Sequence, residues 1–223
     1  MNFFLVAAVI FAFNSGDVPK SYSAQEVYQK VKARAEQIDS TLDRADVQFT
    51  QEIEMRSRAG NVDSLVFRIS ILHGKFVRHL VSTSVPNGDR FDGGYDAFDK
   101  MFFLSEYFSD SGRKLSSCSF DSPQCDKCYG IRFALSSKFD PSDPYNTVSA
   151  SLNAYTFTPM HIDERVKGLP LGIEFENNVD VAYDPGLNTY FPSKIVMQVF
   201  GRLLFIKGEI GVITIKNENL RKM

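Results

Sequence analysis

The chain has 223 residues, of which 43% are hydrophobic and 23% charged, so it is long enough for one large β domain or two small ones. Its formal net charge is -2, without a strong basic block. This argues against a nucleic-acid-binding protein, because such proteins carry a basic patch for the phosphates. A site for an apolar ligand stays open, because such sites depend more on shape and apolar area than on charge.

The chain opens with an apolar run from Phe3 to Phe13. As a helix this run would span roughly 16 Å, which is about half of the hydrocarbon core of a bilayer and fits the hydrophobic segment of a signal peptide. We therefore expect residues 1–16 to be a signal peptide and residues 17–223 to form one mature domain, in the periplasm or otherwise exported. Neither Lys nor Arg precedes the run, so the alternative is a buried N-terminal strand or helix of the domain.

An amphipathic helix is predicted to begin near residue 24. Ser23 and Glu26 match a capping box, in which each side chain hydrogen-bonds the backbone of the other residue. Apolar residues then recur at the spacing of one helix face, and these are Ala24, Val27, Tyr28, Val31, Ala35 and Ile38. Such a helix needs an apolar partner, and we expect the following sheet to provide it.

The hydrophobic pattern changes to a period of two after residue 39. The apolar side consists of Val47, Phe49, Ile53 and Met55 in the first predicted strand, and of Leu65, Phe67, Ile69 and Ile71 in the second. Gln51 interrupts the first set. Turn signals lie at residues 59–61 and 73–75, and a third strand is predicted at residues 76–81. Successive strands with such short turns predict an antiparallel meander.

The pattern is looser in the middle of the chain. Residues 98–108 have apolar residues at a spacing closer to helical than alternating, which indicates a short helix, and residues 109–126 have the composition of a loop. Alternation resumes at Tyr129 and continues to Ile215, before a charged tail at residues 216–223. The whole pattern predicts a mainly β (α+β) protein with about ten strands. Strands that follow one another at such short spacing are typical of a sandwich or a barrel.

Three cysteines lie close together: Cys118, Cys125 and Cys128. In an oxidising compartment two of them can pair, so we favour a disulfide that staples this loop. Cys125 and Cys128 also form a C-x-x-C pair, but the strand-to-helix setting of a thioredoxin-like site and the four ligands of a zinc site are not evident here. Redox or metal function and free thiols are the alternatives.

Groups that carry catalysis or bind metals are sparse. Of the three histidines, His73 and His79 would share a face only in an unbroken strand, which Gly74 argues against, and His161 is distant in sequence. The acidic residues in the range 89–96 lack the register and final Glu of an EF-hand calcium loop. We find no nucleophile elbow, phosphate-binding loop or dinucleotide fingerprint. The prediction is a protein without enzymatic activity, metal or cofactor.

Three stretches together resemble a known family. The predicted helix leads into residues 45–51, which end in Phe49, Thr50 and Gln51, and the second strand ends before residues 73–78. The C-terminal part contributes residues 155–160, 181–183 and 190–195. In this order the stretches resemble the outer-membrane lipoprotein carrier and sorting (LolA-like) proteins, over most of residues 23–217.

The resemblance implies an incomplete β-barrel, in which a strongly curved antiparallel sheet of about ten to eleven strands is capped by the N-terminal helix and short helices. The hollow between sheet and helices would take acyl chains. In the family, an arginine after the second strand helps to hold the helical lid closed. This sequence has His73 at the corresponding place and Arg78 some residues later.

The function implied by the resemblance is a periplasmic or envelope carrier that binds lipid acyl chains or lipoproteins, as a monomer and without nucleic acid. The alternative is a non-transport module on the same fold, which contacts or senses envelope proteins and has a filled hollow. For each apolar residue, a place in an ordinary core is the competing interpretation. The residues expected to line the hollow are Val27, Val31, Phe49, Ile53, Leu65, Phe67, Ile69, Ile71, Phe102 and Met197.

Overall fold

The computed structural model describes residues 22–85, 96–108, 113–120, 128–136, 144–167, 172–203 and 206–223. Helix α1 (Ala24–Arg44) is followed by strands β1 (Val47–Ser57), β2 (Val62–Leu72) and β3 (Lys75–Thr83), and then by helices α2 (Asp96–Met101) and α3 (Leu104–Tyr107). The remaining elements are β4 (Arg113–Phe120), β5 (Cys128–Ser136), β6 (Pro144–Asn153), β7 (Pro159–Val166), β8 (Glu174–Asp184), β9 (Thr189–Leu203) and β10 (Ile206–Lys222). The predicted signal peptide at residues 1–16 lies outside the described residues.

The ten described strands form one antiparallel sheet in the order β3-β2-β1-β10-β9-β8-β7-β6-β5-β4. Neighbours in the sheet are neighbours in the chain except at one place, where β10 lies between β1 and β9. Strands β3 and β4 are the edges, so the sheet formed by the described residues is open. The predicted mainly β fold and incomplete barrel are confirmed.

Helix α1 lies across the end of the sheet that carries the β2–β3, β6–β7 and β8–β9 connections. Arg34 donates from Nε to Oγ1 of Thr158 at 3.2 Å and lies over the ring of Tyr190 at 5.9 Å. The helix contacts β2, β9 and β4. In a flat sheet β2 and β4 would be about 38 Å apart, at about 4.8 Å per strand, whereas an open sheet of ten twisted strands curls. One helix therefore covers the concave face of a sheet that curves around it.

The start of α1 and its buried side agree with the predicted helix. Oγ of Ser23 accepts from the Glu26 N–H at 3.3 Å, and Oε2 of Glu26 accepts from the Ser23 N–H at 2.8 Å, which completes the capping box. The side chains that α1 buries are Val27, Tyr28, Val31, Ala35, Ile38 and Leu42. The apolar face thus extends one turn beyond the predicted stripe.

Strands β1 and β2 supply one wall of the core. Their predicted apolar sides are buried, apart from the half-buried Met55. Gln51, which interrupts the apolar set of β1, is also buried, and its Nε2 donates to Oδ1 of Asn217 at 3.1 Å. Asn217 in turn donates from Nδ2 to the carbonyl oxygen of Pro192 at 2.8 Å. The Nε2 group of Gln51 is therefore tied to β10 and β9 by hydrogen bonds, whereas its buried Oε1 has no hydrogen-bond partner among the described residues.

Two predicted irregular segments are wrong. Within the range 109–126 the chain forms β4, whose main chain pairs with β5, and residues 216–222 continue β10 and pair with β1. In β10 the alternation is hidden because its inward positions include Asn217, and because a bulge at Asn219 (φ 57°) changes the phase before the buried Leu220. Five of the eight residues of β4 are Ser, Arg or Lys, so its sequence carries little strand signal.

His161 on β7 is held between two carboxylates, on the side of the sheet opposite to Ile162. Its Nε2 lies 3.2 Å from Oδ1 of Asp163 and its Nδ1 lies 2.9 Å from Oδ1 of Asp180 on β8. The hydrogen bonds to Asp163 and Asp180 raise the pKa of His161 to about 9, against the opposing effect of burial. The imidazolium therefore links β7 to β8 at neutral pH.

A pH-dependent stability follows from this raised pKa. Because the folded-state pKa lies above the unfolded value of about 6.5, the stabilisation is complete below about pH 6.5 and is lost as the pH rises through about 9. For a partly exposed cluster we expect about 1 kcal/mol. Urea unfolding of the wild type and of His161→Gln from about pH 6 to about pH 10 measures it. A difference between the two proteins that does not change over this range would contradict the assignment.

Candidate functional site

The concave face of the sheet, together with the three helices that cover it, contains all ten residues predicted to line a hollow. Nine of the ten belong to one buried cluster. Met197 on β9 is also buried, at 8% exposure, but lies outside that cluster. The nine are Val27 and Val31 on α1, Phe49 and Ile53 on β1, Leu65, Phe67, Ile69 and Ile71 on β2, and Phe102 between α2 and α3.

Aromatic rings fill the region between β1, β3 and the short helices. Phe102 stacks on Phe49 with ring centroids 4.6 Å apart and an interplanar angle of 7°. Phe76 on β3 meets Phe102 edge-on at 6.0 Å and Phe103 at 5.5 Å. We call these four residues the aromatic plug. Each such ring pair adds about 0.5–1.5 kcal/mol of stabilisation beyond ordinary burial. The aromatic plug therefore fills the part of the concave face between β1, β3 and the short helices with the protein's own side chains.

A buried carboxylate on α1 holds the start of α3. Oδ1 of Asp39 accepts from the Leu104 N–H at 2.9 Å, and Oδ2 accepts from the Ser105 N–H at 2.7 Å. Burial raises the pKa of Asp39 to about 6, while the hydrogen bonds from Ser105 and Leu104 act in the opposite direction. A carboxylate in this place satisfies helix N–H groups that have no partner within the helix. Asp39 therefore fixes α3 against α1.

A second polar tether holds α2 to the edge strand. Arg78 on β3 donates from Nη1 to Oδ2 of Asp99 at 3.0 Å, and Nη2 contacts Oδ1. The side chains of Arg78 and Asp99 are 9% and 18% exposed, and a bidentate pair of this kind is among the stronger ion pairs in proteins. His73, by contrast, lies in the β2–β3 turn with its side chain 90% exposed. The arginine that contacts the covering helix α2 is thus Arg78. The exposed side chain of His73 does not help to hold the helices in place.

Beyond the plug, the apolar wall continues toward the end of the sheet farther from α1. The strand register places Met55, Ile213, Met197 and Asn177 side by side across β1, β10, β9 and β8. We call these four residues the margin row. Met55 and Ile213 are half-buried and pack against the edge of the core cluster, and Asn177 donates from Nδ2 to Oε2 of Glu164 at 3.0 Å. The alternating pattern in the sequence predicts that Met55 and Ile213 lie on apolar strand faces. Only the strand register shows that they are neighbours of Met197.

Metal ligands, membrane-spanning helices and the three cysteines are matters separate from the apolar wall. Within the described ranges, no group of three or more His, Cys, Asp or Glu side chains is suited to hold a metal ion. None of the helices in those ranges is both long and apolar enough to cross a membrane. Cys125 and the side chains of Cys118 and Cys128 lie outside the described part of the chain, so the disulfide stays a prediction.

Comparison with known proteins gives matches at the level of the fold. No protein-family model and no curated protein matches the chain. Among solved structures, a domain from Vibrio parahaemolyticus that is named for outer-membrane lipoprotein sorting is 8% identical, with a TM-score of 0.51 and coverage of 90% of this chain and 94% of that one.

Two further structures align over similar lengths. A LolA superfamily protein from Nitrosomonas europaea is 13% identical, with a TM-score of 0.46 and coverage of 91% of this chain and 94% of that one. A DUF1329 family protein from Desulfovibrio piger is 11% identical, with a TM-score of 0.41 and the same coverages. Identities this low carry no information on ligands. The likeness to the Vibrio parahaemolyticus domain, at a TM-score of 0.51, together with the open sheet and its covering helices, shows that the chain shares the fold of that lipoprotein-sorting domain, as the resemblance in sequence implies.

Proposed function

We propose that the chain is an exported carrier, which binds the acyl chains of lipids or lipoproteins between the concave face of the sheet and its covering helices. The observation that carries the proposal is the cover itself. Two short helices lie over an apolar wall and are attached through three polar tethers: Asp39, the Arg78–Asp99 pair, and the hydrogen bond from the Tyr28 hydroxyl to the carbonyl oxygen of Phe108. A cover of this kind can separate from the wall without unfolding the sheet.

The free energies are compatible with exchange of the aromatic plug for a ligand. Moving Phe102 out of its place costs about 3–5 kcal/mol by analogy with truncation, and separating Arg78 from Asp99 costs about 2–3 kcal/mol for a pair that is partly solvated. A chain of about eighteen carbons gains on the order of 10 kcal/mol at about 0.8 kcal/mol per buried CH₂. The gain exceeds these two losses, so a long acyl chain can take the place of Phe102 and release α2 from β3, whereas a short one cannot.

The alternative is a module on the same fold that contacts envelope proteins and carries no lipid. One observation favours it: nine of the ten predicted lining residues already belong to a packed cluster of the chain. A filled hollow is what this alternative predicts. The two functions differ in whether delipidated protein takes up acyl chains.

Titration of delipidated protein with a fluorescent long-chain fatty acid tests the proposal. We expect saturable binding by the wild type and at least about tenfold weaker binding by Met197→Asp, because a carboxylate in the margin row would be desolvated by the ligand. Val77→Asp is the matched control, since Val77 is 52% exposed on β3, and we expect it to bind like the wild type. Absence of uptake by a folded wild-type protein would overturn the carrier proposal and leave the protein-contact alternative.

A further inference from the structure

A second concavity lies on the convex face of the sheet, on the side away from α1. It has a volume of about 340 Å³. Its lining residues come from three adjacent strands: Arg68 of β2, Gln48, Phe49 and Thr50 of β1, and Asn219 and Arg221 of β10. We call it the arginine pocket. The apolar site described above occupies the opposite face.

The arginine pocket exists because of the β-bulge in β10. The register between β1 and β10 shifts between Gln48 and Thr50, so that Asn219 and Leu220 together oppose Phe49. Asn219 has φ 57°, a conformation that Asn adopts more readily than most residues. The bulge turns Leu220 into the core and leaves Asn219 exposed on the convex face. A bulge disrupts the ladder locally, which opens a recess where a regular sheet would be continuous.

Two guanidinium groups flank this recess from opposite sides of β1. Arg68 pairs with Thr50 and Arg221 pairs with Gln48, so their Cα atoms are about 12 Å apart for a strand spacing of about 4.8 Å and a rise of about 3.4 Å per residue. Each side chain can span half of that distance. The two forks can therefore meet on a single small group placed between them.

The polar partners of the two arginines differ. Arg221 donates from Nη2 to Oε1 of Gln48 at 2.6 Å, and Gln48 donates from Nε2 to Oγ of Ser70 at 3.2 Å. This chain of hydrogen bonds orients Arg221 without neutralising it. Arg68 forms no ion pair within the part of the chain that the structure describes. Two acidic residues lie near in the register: Glu52 on β1 is diagonal to Arg68, and Glu218 pairs with Thr50 on the other side of β1.

We propose that the arginine pocket binds a phosphate group, either of a soluble phosphate compound or of a phospholipid headgroup. Planar guanidinium forks match the oxygens of phosphate in two-point hydrogen bonds, and Arg is favoured over Lys where such geometry matters. The amide of Asn219 and the hydroxyl of Thr50 can supply further donors at the recess. Binding on this face is independent of acyl-chain binding on the other, so each can fail without the other.

The test is titration of the full chain with inorganic phosphate, followed by calorimetry or by backbone NMR shifts. We expect Arg68→Gln and Arg221→Gln each to weaken binding about tenfold, since each removes a charge-assisted hydrogen bond. Arg56→Gln is the control with the same charge change on an exposed residue of β1 outside the recess, and should bind like the wild type. Glu218→Gln should tighten binding about threefold, because it removes a like charge.

Vesicles distinguish the two sources of phosphate. Binding to inorganic phosphate and to vesicles of phosphatidylglycerol in phosphatidylcholine, both lost in the Arg68→Gln/Arg221→Gln double variant, supports a headgroup site. Binding to inorganic phosphate alone supports a soluble phosphate compound. Equal weakening by Arg56→Gln, or shifts that map away from residues 48–50 and 219–221, overturns the proposal. Both arginines are exposed, so the variants should keep the wild-type melting temperature, which verifies that they are folded.

Discussion

Replacement of Arg78 by alanine is expected to lower the free energy of unfolding by about 2–3 kcal/mol. The Asp99 carboxylate then loses the guanidinium that neutralises it in a largely buried place on α2. Removing one partner of a buried ion pair destabilises a protein more than replacing both partners by apolar residues, because the remaining charge is left buried without compensation. Partial exposure of Asp99 keeps the value at the low end. Urea unfolding gives the free energy, and hydrogen exchange should show faster exchange in residues 96–101, because α2 is no longer tied to β3.

The chain provides a matched control for this substitution. Arg56 pairs with Glu54 at 3.2 Å, but the two side chains are 62% and 47% exposed, so Arg56→Ala should change stability by at most about 0.5 kcal/mol. Arg78→Lys keeps the charge and loses the two-point geometry, and should fall between the wild type and Arg78→Ala. Equal urea midpoints for Arg78→Ala and Arg56→Ala would refute the role of the pair in holding α2.

Truncation of Phe102 to alanine is expected to have the larger effect, about 3–5 kcal/mol of lost stability. The ring is 1% exposed and is enclosed by Phe49, Phe76 and Phe103. Removing it leaves a hole that the stiff sheet of β1 and β2 cannot close. If an acyl chain takes the place of the plug, a saturating fatty acid should restore part of the lost stability in Phe102→Ala, because a ligand that binds only the folded state stabilises it.

Phe103 serves as the comparison for Phe102. It is half-buried and makes only edge-on contacts in the same group, so Phe103→Ala should cost about 1–2 kcal/mol and show little rescue by fatty acid. Thermal unfolding of both variants with and without the ligand provides the four values needed. Equal losses for the two variants would show that Phe102 is not the centre of the plug. Rescue of neither would favour the protein-contact function over the carrier.

Local periodicity was sufficient to predict α1 and the walls of the core. The helix stripe and the apolar sides of β1 and β2 repeat at 3.6 and 2 residues, and burial follows these repeats closely. The same rule failed for β4, where three Ser and a register shift between Leu115 and Ser117 hide the alternation, and at Asn219, where one extra residue changes the phase. Patterns in sequence report which side of an element is apolar, but they do not report where one residue has been inserted.

The site was predicted as a set of apolar residues without internal distinctions. Met197 and Ile195 share one face of β9, just as Ile69 and Ile71 share one face of β2. Of these four residues, only Met197 lies outside the core cluster, because the helices cover one part of the concave face and not the other. The tethers were not predictable either. Arg78 and Asp99 belong to a strand and to a separate helix 21 residues later, and their meeting depends on how the sheet curves.

The position of β10 in the sheet has a consequence for how the chain folds. Arg221 and Gln48 are 173 residues apart in sequence and meet across the β1–β10 ladder, so this pairing requires closure of a very long loop. Contacts between distant residues slow folding. Before β10 is in place, β1 and β9 are both unpaired edges, and such edges invite pairing with other chains. Strand β10 thus joins two otherwise separate meanders, and folding intermediates in which it is unpaired should be the most prone to aggregation.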